Sequence, residues 1–223
     1  MINGNLQLTN SSGLARTLFA AALVLTSSSA FVSSALGQTV TPPATPSQIT
    51  PPANQSAFLV GHAFGTQGYT CLPTSAGGTS WSVNPARPEA TLFTDAFGQL
   101  VQIITHFASI DQNPNANGTN PPSLSGNATW QAFDTSRVWA KATGSIPAGS
   151  DRDSCPNNGA IPCLLLESIG NQRGPTGGRL LANTTFVQRL NTNGGAAPNS
   201  ACAVGQTQLV PYTADYYFFR PAE

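Results

Sequence analysis

The chain has only two histidines, His62 and His106. An imidazole exchanges a proton near neutral pH, so these are the first residues to weigh for chemistry. His62 sits among apolar neighbours and reads as a half-buried, hydrogen-bonded strand residue. His106 ends the apolar run Leu100–Phe107 and opens a long stretch rich in Asn, Pro and Gly. That position suits a site at one end of a β-fold. As a general base it needs an orienting carboxylate. Asp215, inside the aromatic run Tyr212–Phe219, and Glu89 are the candidates. Arg189 interrupts the run Phe186–Leu190. It is expected to pair with a buried carboxylate such as Asp215 or Glu89, or, facing a cavity, to act as an anion-binding fork. His106, Asp215 and Arg189 are therefore the candidate catalytic group, for hydrolysis of a small molecule. Trp130, Tyr212 and Tyr216 are the candidate binding faces, in a set of aromatics that also suits a core.

Other chemistries find little support. No His-x-His or His-x-x-x-His pair brings two imidazoles together, and the cysteines lack paired Cys-x-x-Cys spacing, so no metal site is expected. No Gly-x-Ser-x-Gly elbow is present. Gly170, Gly174, Gly177 and Gly178 follow the run Leu164–Glu167 but miss the Gly-x-Gly-x-x-Gly spacing, and no helical pattern follows them. Nicotinamide binding is excluded on that ground, and no cofactor is expected. Charged residues are 8% of the chain, against roughly 25% in an average protein. There is no basic patch for nucleic acid and no amphipathic basic helix for a membrane surface.

The elements that must position these residues are strands. Residues 1–37 read as a signal peptide: Arg16 is the only charge, an apolar core Leu18–Leu25 follows, and Ala35-Leu36-Gly37 is the favoured cleavage site. Residues 38–57 are rich in Pro and Thr and read as an extended, poorly ordered tether. Residues 58–223 read as one all-β domain. Its strands are expected at Phe58–Phe64 with a continuation at Tyr69–Leu72, Trp81–Val83, Ala90–Thr94, Leu100–Phe107, Thr129–Phe133, Arg137–Thr143, Ile161–Ile169, Phe186–Thr192 and Leu209–Arg220. No stretch of this domain has a 3.6-residue apolar period. The class is an antiparallel sandwich or barrel of roughly eight to ten strands. In the last strand Tyr212, Ala214, Tyr216 and Phe218 share one face, and Thr213, Asp215, Tyr217 and Phe219 the other. Neither face is polar, so both should be covered. Pro211 should mark an edge or a bulge.

Four cysteines in an exported chain imply two disulfides, with three connectivities possible. Cys155 and Cys163 flank a turn and should pair locally, leaving Cys71 with Cys202. Asn54, Asn117, Asn127 and Asn183 each stand in an N-glycosylation sequon.

Several phrases carry a resemblance. They are Gly61-His62-Ala63, Gln67–Cys71, Pro88–Phe93, His106-Phe107, Trp130–Ala132, Ile161–Leu166, Val187–Gly195, Ala197-Pro198, Cys202 and Val210–Phe218. Together they resemble an exported "domain of unknown function" family of bacteria and filamentous fungi, whose fungal members often carry the label malate dehydrogenase. The resemblance spans the whole expected domain and implies a β-fold and export, with no established activity. The stretch between His106 and Trp130 is longer than in that pattern. Cys163 stands where the pattern has tryptophan, which makes Cys155–Cys163 a local addition. The expectation is a secreted, periplasmic or cell-surface binding or interaction domain for a small molecule or surface ligand, with the hydrolytic enzyme as the alternative.

Overall fold

β-Branched and aromatic residues favour a pleated, half-buried surface, and the runs of them become strands. The computed structural model describes residues 40–83, 88–96, 98–109 and 127–223. The signal peptide, its cleavage site, the Asn117 sequon and most of the stretch after Ser109 lie outside the described residues. The strands are β1 (Gln55–Thr74), β2 (Gly78–Ser82), β3 (Pro88–Ala96), β4 (Gln99–Ser109), β5 (Asn127–Ala132), β6 (Arg137–Ile146), β7 (Cys163–Gln172), β8 (Phe186–Gly194) and β9 (Thr207–Pro221). A single 3-10 turn, Ser47–Ile49, precedes them. All neighbours run antiparallel, in the order β2-β1-β3-β4-β5-β6-β7-β8-β9.

β1 also pairs with β9, from Gln55 opposite Pro221 to Thr70 opposite Thr207. The sheet therefore closes on itself into an eight-stranded antiparallel barrel, with β2 extending the far end of β1. The sequence predicts β1 as two pieces broken by Gly65–Gly68, whereas the strand is continuous. Gly65 does not break it because its missing side chain is what lets β3 approach: a Cβ there would lie 2.1 Å from the Glu89 carbonyl oxygen. Pro211 is not at an edge. It pairs with Thr66 of β1 and lies just past the last β8–β9 pair, Gly194 opposite Tyr212, two residues from the register shift at Thr213–Asp215, and its carbonyl accepts from the Gly195 N–H.

Strand alternation divides the side chains between two cores. Ala63, Leu92, Ile104, Trp130, Val138, Leu166, Val187, Tyr212, Tyr216 and Phe218 fill the barrel interior. Tyr217, Phe219, Leu165, Leu190 and Ile146 form a second cluster with Ile49. The stretch read as a poorly ordered tether is thus built in over its second half. Ile49 is fully buried, its carbonyl accepts from Gln188 Nε2 at 2.6 Å, and Gly144 lies so close to Gln48 that no side chain would fit. One isoleucine among the Pro and Thr residues supplies the apolar anchor that composition hides. No described helix is long and apolar enough to cross a membrane.

One loop is locked by a carboxylate. Asp134 accepts hydrogen bonds from the Ser136 N–H and hydroxyl, and from the Arg179 and Leu180 N–H groups at 2.7 and 2.8 Å. Burial works against the charge, but these donors together hold its pKa below the usual value. A Cβ on Gly178 would lie 2.0 Å from the Asp134 carbonyl. The glycine run after β7 is therefore packed against a turn, and Leu181 beyond it is fully buried in the interior.

Both disulfides form, Cys71–Cys202 and Cys155–Cys163. Their sequence separations of 131 and 8 residues correspond to about 5 and about 2.5 kcal/mol in the loop-entropy model. Replacing Cys71 and Cys202 by serine should lower the urea midpoint more than replacing Cys155 and Cys163. The reverse order would mean that native-state packing dominates both bridges. Ile49→Ala should destabilise the fold by roughly 2–5 kcal/mol. An unchanged midpoint would show that the segment rests on the barrel without supporting it.

Candidate functional site

The barrel wall has a seam. β5 pairs with β6 only over Ala128–Gln131, while β6 runs on to Ile146 against β7 with register shifts after Trp139 and Ala142. Beyond Ala128 the two strands part. A cavity of about 470 Å³ lies there, bordered by Asn127 and Ala128 on one side and by Ala140, Lys141 and Ala142 on the other. Its deeper wall is apolar, from Trp130, Leu164 and Leu166, and its polar groups are His106, Arg189 and Tyr216.

His106 is buried, and its Nδ1 lies 2.9 Å from the Thr129 carbonyl oxygen. A carbonyl only accepts, so Nδ1 carries the hydrogen and Nε2 keeps its lone pair. The ring stacks on Trp130 at 4.3 Å with 9° between planes. Burial lowers the pKa to about 4, opposed by the Thr129 hydrogen bond and assisted by the Arg189 charge. His106 is thus a neutral imidazole at pH 7. Tyr216 crosses Trp130 edge-on at 5.6 Å, and its hydroxyl lies 3.1 Å from that of Tyr212. Burial, and then Tyr216, push the Tyr212 pKa far upward. The indole N–H of Trp130 is buried with no partner among the described residues. Trp139 has an equally unpartnered N–H but does not line this cavity.

Arg189 stands on β8 between Leu164 of β7 and Tyr216 of β9. Its Nε and Nη2 donate to the Pro162 carbonyl at 3.2 and 2.9 Å. Among the described residues no carboxylate lies within ion-pair distance of it or of Lys141, the only lysine in the chain. The expected ion pair with Asp215 or Glu89 does not form. Glu89 is exposed on β3. Asp215 projects from the opposite face of β9 to Tyr216, where Oδ1 meets His62 Nδ1 at 2.6 Å and Oδ2 accepts from Asn191 Nδ2 at 2.8 Å. His62 and Asp215 are register partners, so the β1–β9 closure itself brings them together.

Of the three residues read as a catalytic group, the structure brings together His106 and Arg189 and leaves Asp215 on the other face. Trp130 and Tyr216 line the cavity, and Tyr212 reaches it only through the Tyr216 hydroxyl. The imidazole is oriented by a carbonyl, not a carboxylate, and no serine, threonine or cysteine is among the described lining residues. No group of three metal-ligating side chains occurs among the described residues. Sequence reasoning missed Lys141, Asn127, Leu164 and Leu166 as site residues. The one signal was that Lys141 is the only lysine, and nothing local ties it to a seam.

Residues 51–220 match the model of a family described as "Protein of unknown function (DUF3455)". The match covers most of the chain, which belongs to that family. No curated protein and no solved structure matches it.

The His106 environment sets a pH dependence. An unfolded histidine titrates near 6.5, and the folded one near 4. Between those values the unfolded chain binds a proton that the native state refuses, so stability should fall as pH drops from about 6.5 to about 4, by on the order of 3 kcal/mol. His106→Phe keeps a ring on Trp130 and should flatten this part of the curve of urea midpoint against pH. Equal slopes in both proteins would show that His106 is protonated at no cost.

Proposed function

We propose that this protein is an extracytoplasmic binding domain that holds a small molecule in the cavity at the β5–β6 seam. The carrying observation is the cavity itself. An eight-stranded barrel is just wide enough either to fill with side chains or to enclose one small ligand. Here the interior is filled by Phe218, Val138 and Leu181 over most of its length and stays open beside Trp130. The volume falls within the roughly 300–1,000 Å³ of small-molecule sites. Mostly apolar walls with a few convergent polar groups are the usual composition of such a site. Two disulfides, one of them closing most of the domain, support an oxidising compartment and so export. The hydrolytic alternative rests on His106 alone once Asp215 is on the other face.

The test uses single-ring probes and the indole N–H resonances of the tryptophans. Benzyl alcohol, benzoate and benzylamine are titrated into the folded domain. At least one should shift the Trp130 resonance saturably, without shifting that of Trp81 on β2, whose N–H is held by the Ser200 carbonyl. Ala128→Phe, which narrows the seam, should abolish the shift. If all three probes leave Trp130 unmoved, the cavity is not a binding site.

A further inference from the structure

The cavity's polar groups are unequally matched, and the mismatch identifies a ligand class. Resting on the reading of this cavity as a binding site, we infer that the seam binds a small organic carboxylate, its apolar body against Trp130, Leu164 and Leu166 and its charged oxygens at Arg189.

Three observations converge. Arg189 spends two donors on a single neutral carbonyl, that of Pro162, and has no carboxylate partner among the described residues. A guanidinium carries five N–H donors in a planar fork suited to a carboxylate. Arg189 is half-buried at the cavity, so an incoming anion can reach its remaining donors. Second, the Trp130 ring lines the cavity and stacks on the neutral His106 ring, which offers a flat apolar wall for the body of a ligand. Third, no aspartate or glutamate is among the described lining residues, so nothing acidic in the cavity answers Arg189, whereas Lys141 stands opposite Glu167 across the β6–β7 pair. The apolar part follows from the walls. Leu164, Leu166 and Ala128 carry no side-chain hydrogen-bonding group, so a strongly hydrated ion such as phosphate would lose its water against them without compensation. A carboxylate on a hydrocarbon or aromatic body satisfies both halves.

The experiment compares benzoate with benzyl alcohol, which has the same ring and no charge, by the Trp130 indole shift. Benzoate should bind the native protein at least roughly tenfold more tightly, the value of one charge-assisted hydrogen bond. Arg189→Gln should reduce benzoate to the level of the alcohol while leaving the alcohol unchanged, and Arg189→Lys should retain part of the preference. Lys141→Gln should change the preference little. Equal affinity for the two probes in the native protein would overturn the carboxylate assignment while the binding reading stands. A preference that disappears with Lys141→Gln and survives Arg189→Gln would overturn the role given to Arg189. If neither probe moves Trp130, the carboxylate assignment falls, and the binding reading falls with it when benzylamine also leaves Trp130 unmoved. The native comparison needs no variant, so misfolding of Arg189→Gln cannot rescue the idea.

Discussion

The fold depends on the pairing of its first strand with its last. β1 and β9 run together from Gln55 opposite Pro221 to Thr70 opposite Thr207, with Cys71–Cys202 just beyond the pairing. Without this seam the sheet would be open, with two long unpaired edges and an apolar face exposed to water. With it, the same face becomes a closed interior. The register decides which side chains enter. Tyr212, Ala214, Tyr216 and Phe218 point inward, and the residues between them outward. A slip of one residue would exchange these sets, carrying Asp215 into the core and Tyr216 out of it. The His62–Asp215 contact sits within this seam and ties the two strands on the outer face.

The strands were legible because β-branched and aromatic runs alternate with Gly, Pro and Asn turns. The Asp95–Gly98 and Asp134–Ser136 turns mark two hairpins directly. Barrel closure was not legible, since alternation says which way a side chain points and nothing about the strand beside it. The same limit explains the misplaced carboxylate. Alternation already put Asp215 on the face of Tyr217 and Phe219, away from Tyr216. Only the pairing of β1 with β9 shows that its partner there is His62. Ile49 went unseen for a different reason. Its surroundings have the composition of a loose tether, and a single apolar anchor does not change an average. The seam at β5–β6 comes from unequal strand lengths and two register shifts between β6 and β7, features that depend on pairing.

The cavity and the His106 environment are two aspects of one arrangement. Arg189 reaches the interior because β8 presents Val187 and Arg189 on the inner face, and nothing acidic answers its charge there. The imidazole stacked on Trp130 is neutral for two reasons that act together, loss of water and the nearby guanidinium. A protonated His106 would place a second cation in the same enclosure. The neutral ring instead serves as a flat wall, held by its bond to Thr129 and carrying an unprotonated Nε2 toward the open volume.

The closing pair also sets an order of events. β9 leaves the ribosome well over a hundred residues after β1, so the barrel cannot form while the chain is still growing. Contacts of such long sequence separation make folding slow. Until β9 arrives, β1 lacks its partner along Gln55–Thr70. A chain read as crossing a membrane before it folds gains from that delay. The last strand made is the one that shuts the barrel.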